Sequence, residues 1–154
     1  MDGVIITPGD LCAPEVIALL QTHLDQMHAQ SPPESVHALD LEGLKGDDIS
    51  FWTIWQDESV VGCGALKTLS STHGEIKSMH ILADQRGKGL AARVLEHILD
   101  EARNKGMERL SLETGAPDDF KAARLLYEKY GFQTCGPFAD FKLDPFSLFM
   151  TREI

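Results

Sequence analysis

The stretch Gln85-Arg86-Gly87-Lys88-Gly89-Leu90-Ala91 sets two glycines and two cations between an apolar run and a helical repeat. Before it, Ile76-Lys77-Ser78-Met79-His80-Ile81-Leu82, opened by Glu75, reads as a strand. After it, Leu90, Val94, Leu95, Ile98, Leu99 and Ala102 recur at helical spacing until Gly106, in the C-terminal cap position. A strand, a glycine turn and a helix gather unpaired backbone N–H groups and the positive end of a helix dipole at one point, which suits phosphate oxygens. Arg86 and Lys88 would add charge-assisted donors. A tight turn carrying two solvated cations is the plainer reading of the same residues. Two common nucleotide loops are excluded. Lys88 is followed by Gly89-Leu90 and not by Ser or Thr, and position 92 is alanine where a dinucleotide fingerprint needs glycine.

What Arg86 to Ala91 does match is Arg/Gln-x-x-Gly-x-Gly/Ala, and in that form it resembles the acetyl-CoA pyrophosphate loop of the GNAT superfamily of N-acetyltransferases. The resemblance extends outward. Glu75 to Leu82 is similar to the family's central strand, Arg109 to Thr114 to the next one, and Leu126-Tyr127-Glu128-Lys129-Tyr130-Gly131-Phe132 to its helix-end signature. The resemblance implies acetyl-CoA as co-substrate, with no metal, and acetyl transfer to an amine. It implies contacts from Met79, His80 and Ile81 and from Arg86, Gly87, Lys88, Gly89, Leu90, Ala91 and Ala92, largely through backbone groups. It also implies Glu75 as general base and Tyr127 as general acid toward the thiolate, roles that a carboxylate in apolar surroundings and a phenol can fill. Glu113 is the second candidate base. His80 has the opposite strand parity to Glu75, so the two are expected on opposite faces. Phe120 stands where the family often carries a CoA-contacting asparagine. A GNAT-like domain that binds acyl-CoA without turnover is the alternative of another class.

The rest of the chain must position these residues. Val4 to Thr7 reads as a first strand, and Pro14 opens a helix to about Gln30 whose face carries Val16, Ile17, Leu20, Leu24 and Met27. His23 and His28 are expected to be partly exposed. Ser31-Pro32-Pro33 breaks the chain, and the polar segment Glu34 to Leu44 lies where the resemblance puts acceptor specificity, with Glu34, Ser35 and His37 as candidates. A capped surface helix explains the same segment. Ser50 to Gln56, Val60 to Leu69 and Glu75 to Leu82 form an expected antiparallel meander, with Gly62 and Gly64 marking a bulge or close approach. Trp52 and Trp55 are expected to pack the core. Arg109 to Thr114 must run parallel to Glu75–Leu82 because a helix joins them. Phe120 to Tyr130 is a helix capped by Asp118 or Asp119, and Phe132 to Cys135 and Ser147 to Arg152 are last strands. The expected fold is α+β with a mixed, twisted sheet in a single domain spanning residues 1–154.

At 154 residues with a net charge of -10, the chain lacks the basic face that nucleic acid requires. The acidity is compatible with a cationic amine acceptor, either a small molecule or an N-terminal amine. Cys12, Cys63 and Cys135 have no metal-ligand spacing and read as reduced, mostly buried thiols. Neither a leader pattern nor a membrane-length apolar run is evident, so a soluble cytoplasmic protein is expected, with a homodimer possible by family analogy.

Overall fold

Periodic apolar positions sort this chain onto the two faces of one sheet. The computed structural model describes residues 3–35 and 39–154. Strands β1 (Val4–Pro8), β2 (Ile49–Gln56), β3 (Ser59–Thr68) and β4 (His73–Ile81) pair antiparallel in succession. Helices α1 (Pro14–Gln30) and α2 (Leu41–Leu44) fall between β1 and β2. Helix α3 (Leu90–Asn104) carries the chain over to β5 (Arg109–Gly115), which pairs parallel to β4 as the crossover requires. Helix α4 (Lys121–Lys129) leads to β6 (Gln133–Cys135) and β7 (Ser147–Glu153), and the sheet order is β1-β2-β3-β4-β5-β7-β6. This is the mixed α+β sheet that the sequence suggests.

One face packs on α3 and α4, with Trp52, Ile54, Leu66 and Ile76 against Leu95, Ile98 and Phe132. The other face packs on α1 and α2, with Phe51, Cys63 and Ala65 against Val16, Leu19, Leu20 and Leu44. Each such side chain contributes about 1.5–3 kcal/mol when fully buried, which is what seats both helices. Gly64 allows the close approach of α3, because a Cβ there would lie 2.6 Å from Val94 Cγ1. Trp52 is buried and meets the His97 ring edge-on at 5.0 Å, while Trp55 Nε1 donates to Thr53 Oγ1 at 2.9 Å.

Several expectations need correction. The buried face of α1 carries Leu19 and His23, and Ile17 is exposed, because the helix turns its seam one residue along. His23 is therefore buried and not partly exposed; His28 is exposed. Asp118 and Asp119 occupy a short 3-10 turn, and the α4 cap position belongs to Phe120, which makes no side-chain cap bond. Of the cysteines only Cys63 is buried, its thiol pushed up to about 12 by burial, whereas Cys12 is exposed and Cys135 half-buried. Among the described residues, no helix is long and apolar enough to cross a membrane.

The feature that shapes the site is a bulge in β4. Cys63 of β3 faces His80, but Ala65 faces Lys77, so β4 uses one residue more than its partner over this step. Ser78 absorbs it with φ 54, a left-handed conformation uncommon for a serine. Cys63 Sγ donates to the Ser78 carbonyl at 3.1 Å. Pairing of β4 with β5 ends at Ile76 and Leu112, although both strands run on. Beyond that point the sheet opens into a wedge.

Candidate active site

The wedge widens into a cavity of about 600 Å³, with the glycine loop at one end and a group of ionisable side chains at the other. Gly87 and Gly89 adopt φ 81 and 78, and a Cβ on either would meet nothing within 4 Å, so the loop fronts open space. Gly89 is the N-cap of α3 and offers no side chain to the first helical N–H groups. Those donors and the dipole behind them suit an anion. Arg86 folds back: its Nε donates to the Ile81 carbonyl at 3.1 Å and its Nη2 to Gln26 Oε1 at 3.2 Å, tying α1 to the loop. Met79, His80, Ile81, Leu90, Ala91 and Ala92 line the cavity as well. Lys88 lies outside its lining and donates to Gln85 Oε1 at 2.8 Å.

At the far end, Glu75 and Tyr127 line the same cavity. Glu75 is 2% exposed, and its Oε2 takes an ion pair from Lys77 Nζ at 3.0 Å. The Lys77 ammonium lies 5.4 Å from the centre of the Phe141 ring. Glu113, the second candidate base, lines the cavity from β5. Burial pushes its carboxyl up to about 7; the Ser147 hydroxyl and then the Lys77 charge oppose the rise, and the Glu75 and Asp144 charges add to it. Tyr127 is buried, and its phenol is pushed up to about 12 by burial and, second, by the charge of Glu113. Helix α4 is fixed over this end by Arg124, whose Nη1 donates to the carbonyls of Gly115, Ala116 and Pro117 at 2.8, 3.1 and 3.0 Å. Phe120, also on the lining, packs over Gly115 so closely that a Cβ there would fall 2.1 Å from its ring.

Of the acceptor candidates, Ser35 is buried on the lining and donates to Asp144 Oδ2 at 2.6 Å. Glu34 is exposed and does not line the cavity, and His37 lies outside the described residues. Asp40 caps α2 by accepting from the Gly43 N–H at 2.8 Å, so part of this segment is the capped helix that its composition also allows.

The expected separation of His80 from Glu75 does not hold. Lys77 pairs with Ala65 and His80 with Cys63, which share a face of β3, so Glu75, Lys77 and His80 all lie on one face of β4. The bulge at Ser78 inverts the alternation. His80 then meets the His23 ring at a tilt of 46°, with ring centroids 4.8 Å apart. Both rings are lowered to about 4 by burial, and in His80 the neighbouring His23 and Arg86 add to the effect. The sequence reading did not assign Lys77, His23 or Asp144 to the site. Lys77 carried a signal, standing two positions from Glu75 and so on its face. The Ser35–Asp144 contact spans 109 residues and carried none.

Residues 16–132 match the family described as Acetyltransferase (GNAT) family. The chain is 52% identical over 145 residues to the uncharacterized N-acetyltransferase YsnE of Bacillus subtilis (strain 168), covering 94% of this chain and 96% of that one. A putative acyl-CoA N-acyltransferase from Klebsiella pneumoniae superposes with a TM-score of 0.80 at 28% identity, over 97% of each chain. A GNAT family acetyltransferase from Elizabethkingia anophelis, solved with acetyl-CoA bound, gives a TM-score of 0.69 at 18% identity over 100% of both chains, a likeness of fold. The chain is an enzyme of the GNAT acetyltransferase family.

Proposed function

We propose that this enzyme moves an acetyl group from acetyl-CoA directly to an amine, the amine losing its proton at the Glu75–Glu113 carboxylate pair and Tyr127 acting as acid. The observation that carries the reading is that an anion cradle, two carboxylates and a buried phenol share one cavity. The open space in front of Gly87 and Gly89 fits a pyrophosphate held by the backbone from Arg86 to Ala92. The β4 edge at Met79 and Ile81, beyond the last pair with β5, offers backbone groups to the pantetheine amides. That a neighbour of the same fold carries acetyl-CoA supports the same co-substrate.

Acetyl-CoA supplies an activated acyl carbon, whose bond to sulfur breaks as its bond to the acceptor nitrogen forms. The protein's own work is to bind, orient and move two protons. A carboxyl near 7 takes a proton from an incoming ammonium at neutral pH without holding it too tightly. Tyr127 has a proton to give at any physiological pH. Protonation of Glu113 removes the charge that helps hold the phenol up, so uptake of the first proton favours release of the second. The acceptor end holds the carboxylates Glu75, Glu113 and Asp144 around the ammonium of Lys77, which favours an acceptor arriving as a cation. Ser35 is the acceptor-binding candidate that lines the site, and Glu34 precedes it in the chain.

The test is thiol release from acetyl-CoA across a panel of primary amines, with product mass measured. Release with at least one amine, with an acetylated product, is expected. Calorimetric binding of acetyl-CoA with no release across the panel would leave a cofactor-binding module in place of an enzyme.

A further inference from the structure

We infer that Lys77 is a positioning residue that divides the work between the two carboxylates: it holds Glu75 in a buried ion pair and leaves Glu113 to take the acceptor's proton. This rests on the acetyl-transfer reading above and says which atom of that site receives the proton. The side chains of Lys77 and Glu75 are 9% and 3% exposed, and Nζ lies 3.0 Å from Oε2. For Glu75 to accept a proton, that contact would have to be given up, and a buried ammonium would lose the counter-charge that lies 3.0 Å from it, a costly change. Strand register sets Lys77 and Glu75 on one face of β4, and the ammonium is held there by burial and by the Phe141 ring, 5.4 Å from Nζ.

Glu113 is placed differently. It is the first β5 residue past Leu112, the last one paired with β4, so its side chain stands where the wedge opens. Among the described residues it has no ion pair of its own. The charged and titratable groups facing it are Glu75 and Lys77 from β4, Asp144 from the segment before β7, and Tyr127 from α4. Lys77 thus acts on both carboxylates: it pairs with one and moderates the other. Without its charge, Glu75 and Glu113 would face each other uncompensated, and Glu113 would hold a proton to higher pH. A base that stays protonated at neutral pH cannot work there.

The experiment is a carboxyl-carbon NMR titration of the full chain labelled at glutamate Cδ, with no ligand added. Wild-type protein should show a carboxyl titrating near 7, absent in Glu113→Gln and kept, moved to lower pH, in Glu75→Gln. Lys77→Gln should move that titration up by about one unit or more, and Lys77→Arg should bring it back. The acidic limb of kcat/KM, measured with the best amine of the panel, should move with it. A near-neutral titration lost in Glu75→Gln and kept in Glu113→Gln would overturn the assignment, as would an unmoved titration in folded Lys77→Gln. If Lys77→Gln does not fold, the two glutamine variants and Lys77→Arg still decide it. Absence of thiol release from wild-type protein would instead sink the acetyl-transfer reading, which the titration does not touch.

Discussion

Glu75 and His80 point to the same face of β4, because the extra residue taken up at Ser78 inverts the alternation between them. A regular strand would have sent His80 to the α3 side. The bulge instead sets Glu75, Lys77 and His80 along one wall and turns Met79 toward the core beneath α3. The same distortion accompanies the end of β4–β5 pairing at Ile76, which opens the sheet. One irregular residue thus gives the cavity both its entrance and its polar wall. A left-handed serine costs on the order of 1–2 kcal/mol, a cost the surrounding packing offsets.

Gly89→Glu should abolish or strongly weaken acetyl-CoA binding. The residue has φ 78, so any side chain strains the turn, and its Cβ would enter the open space proposed for the pyrophosphate. The added carboxylate would also repel phosphate. Arg86→Ala should weaken binding by about 1–2 kcal/mol, chiefly by releasing α1 from the loop, since Arg86 bridges Ile81 and Gln26. Calorimetric titration with acetyl-CoA checks both, and unchanged affinity in Gly89→Glu would remove the site.

Stability should fall in acid because of His23 and His80. Both rings sit at about 4 in the folded chain against an ordinary 6.5, so between those values the unfolded chain binds more protons. Lowering pH from about 6.5 to 4 should cost on the order of 2–3 kcal/mol for His23 and less for His80, part of whose shift is repulsion from His23 and Arg86. Urea midpoints at pH 7 and pH 4.5 measure it. His23→Leu should lose distinctly less stability over that interval, and equal losses in the two proteins would place the acid sensitivity elsewhere.

Ser35→Ala should raise the acceptor KM several-fold with acetyl-CoA affinity nearly unchanged, because Ser35 and its partner Asp144 stand at the carboxylate end and away from the glycine loop. Asp144→Asn, which keeps the shape, should do the same and also lower the Glu113 titration, since the Asp144 charge helps raise it. Glu34→Ala should do little, as the side chain is exposed. Steady-state kinetics with each substrate varied in turn distinguishes these outcomes.

The strand–glycine–helix unit was legible because its signals are local. An apolar run, a 3.6-residue repeat and two glycines within a short stretch all agree, and the structure has a strand, a helix and two left-handed glycines there. Gly64 was legible as a place of close approach for the same reason. The bulge was not, because its left-handed residue is Ser78, a type that gives no warning of positive φ. The parity argument that sets His80 opposite Glu75 therefore failed. Long-range pairs such as Ser35–Asp144 were invisible because no periodicity links residues that far apart. Glu75 and Glu113 could both be named as candidate bases from sequence, but the ion pair that separates them depends on how deeply Lys77 is buried, which no local pattern encodes.

Tyr127→Phe should lower kcat by about 10²–10⁴-fold and leave acetyl-CoA affinity and the fold intact. The ring lies edge-on to Phe132 with centroids 5.9 Å apart, a contact that phenylalanine keeps, so the cost in stability should be about 1 kcal/mol or less. On the assignment proposed above the acidic limb belongs to Glu113, which must be ionised to accept a proton, so in this variant the limb should stay near 7, with activity falling as pH drops through that value. What should change is the dependence on the leaving group. In the proposed reaction Tyr127 protonates the departing thiolate, a transfer that burial and the Glu113 charge oppose and that neutralisation of Glu113 eases, and an acetyl thioester of a more acidic thiol departs without that help. Tyr127→Phe should therefore recover most of its lost rate with such a thioester, while Glu113→Gln should not. If both thioesters are slowed equally by Tyr127→Phe, the tyrosine packs α4 and moves no proton.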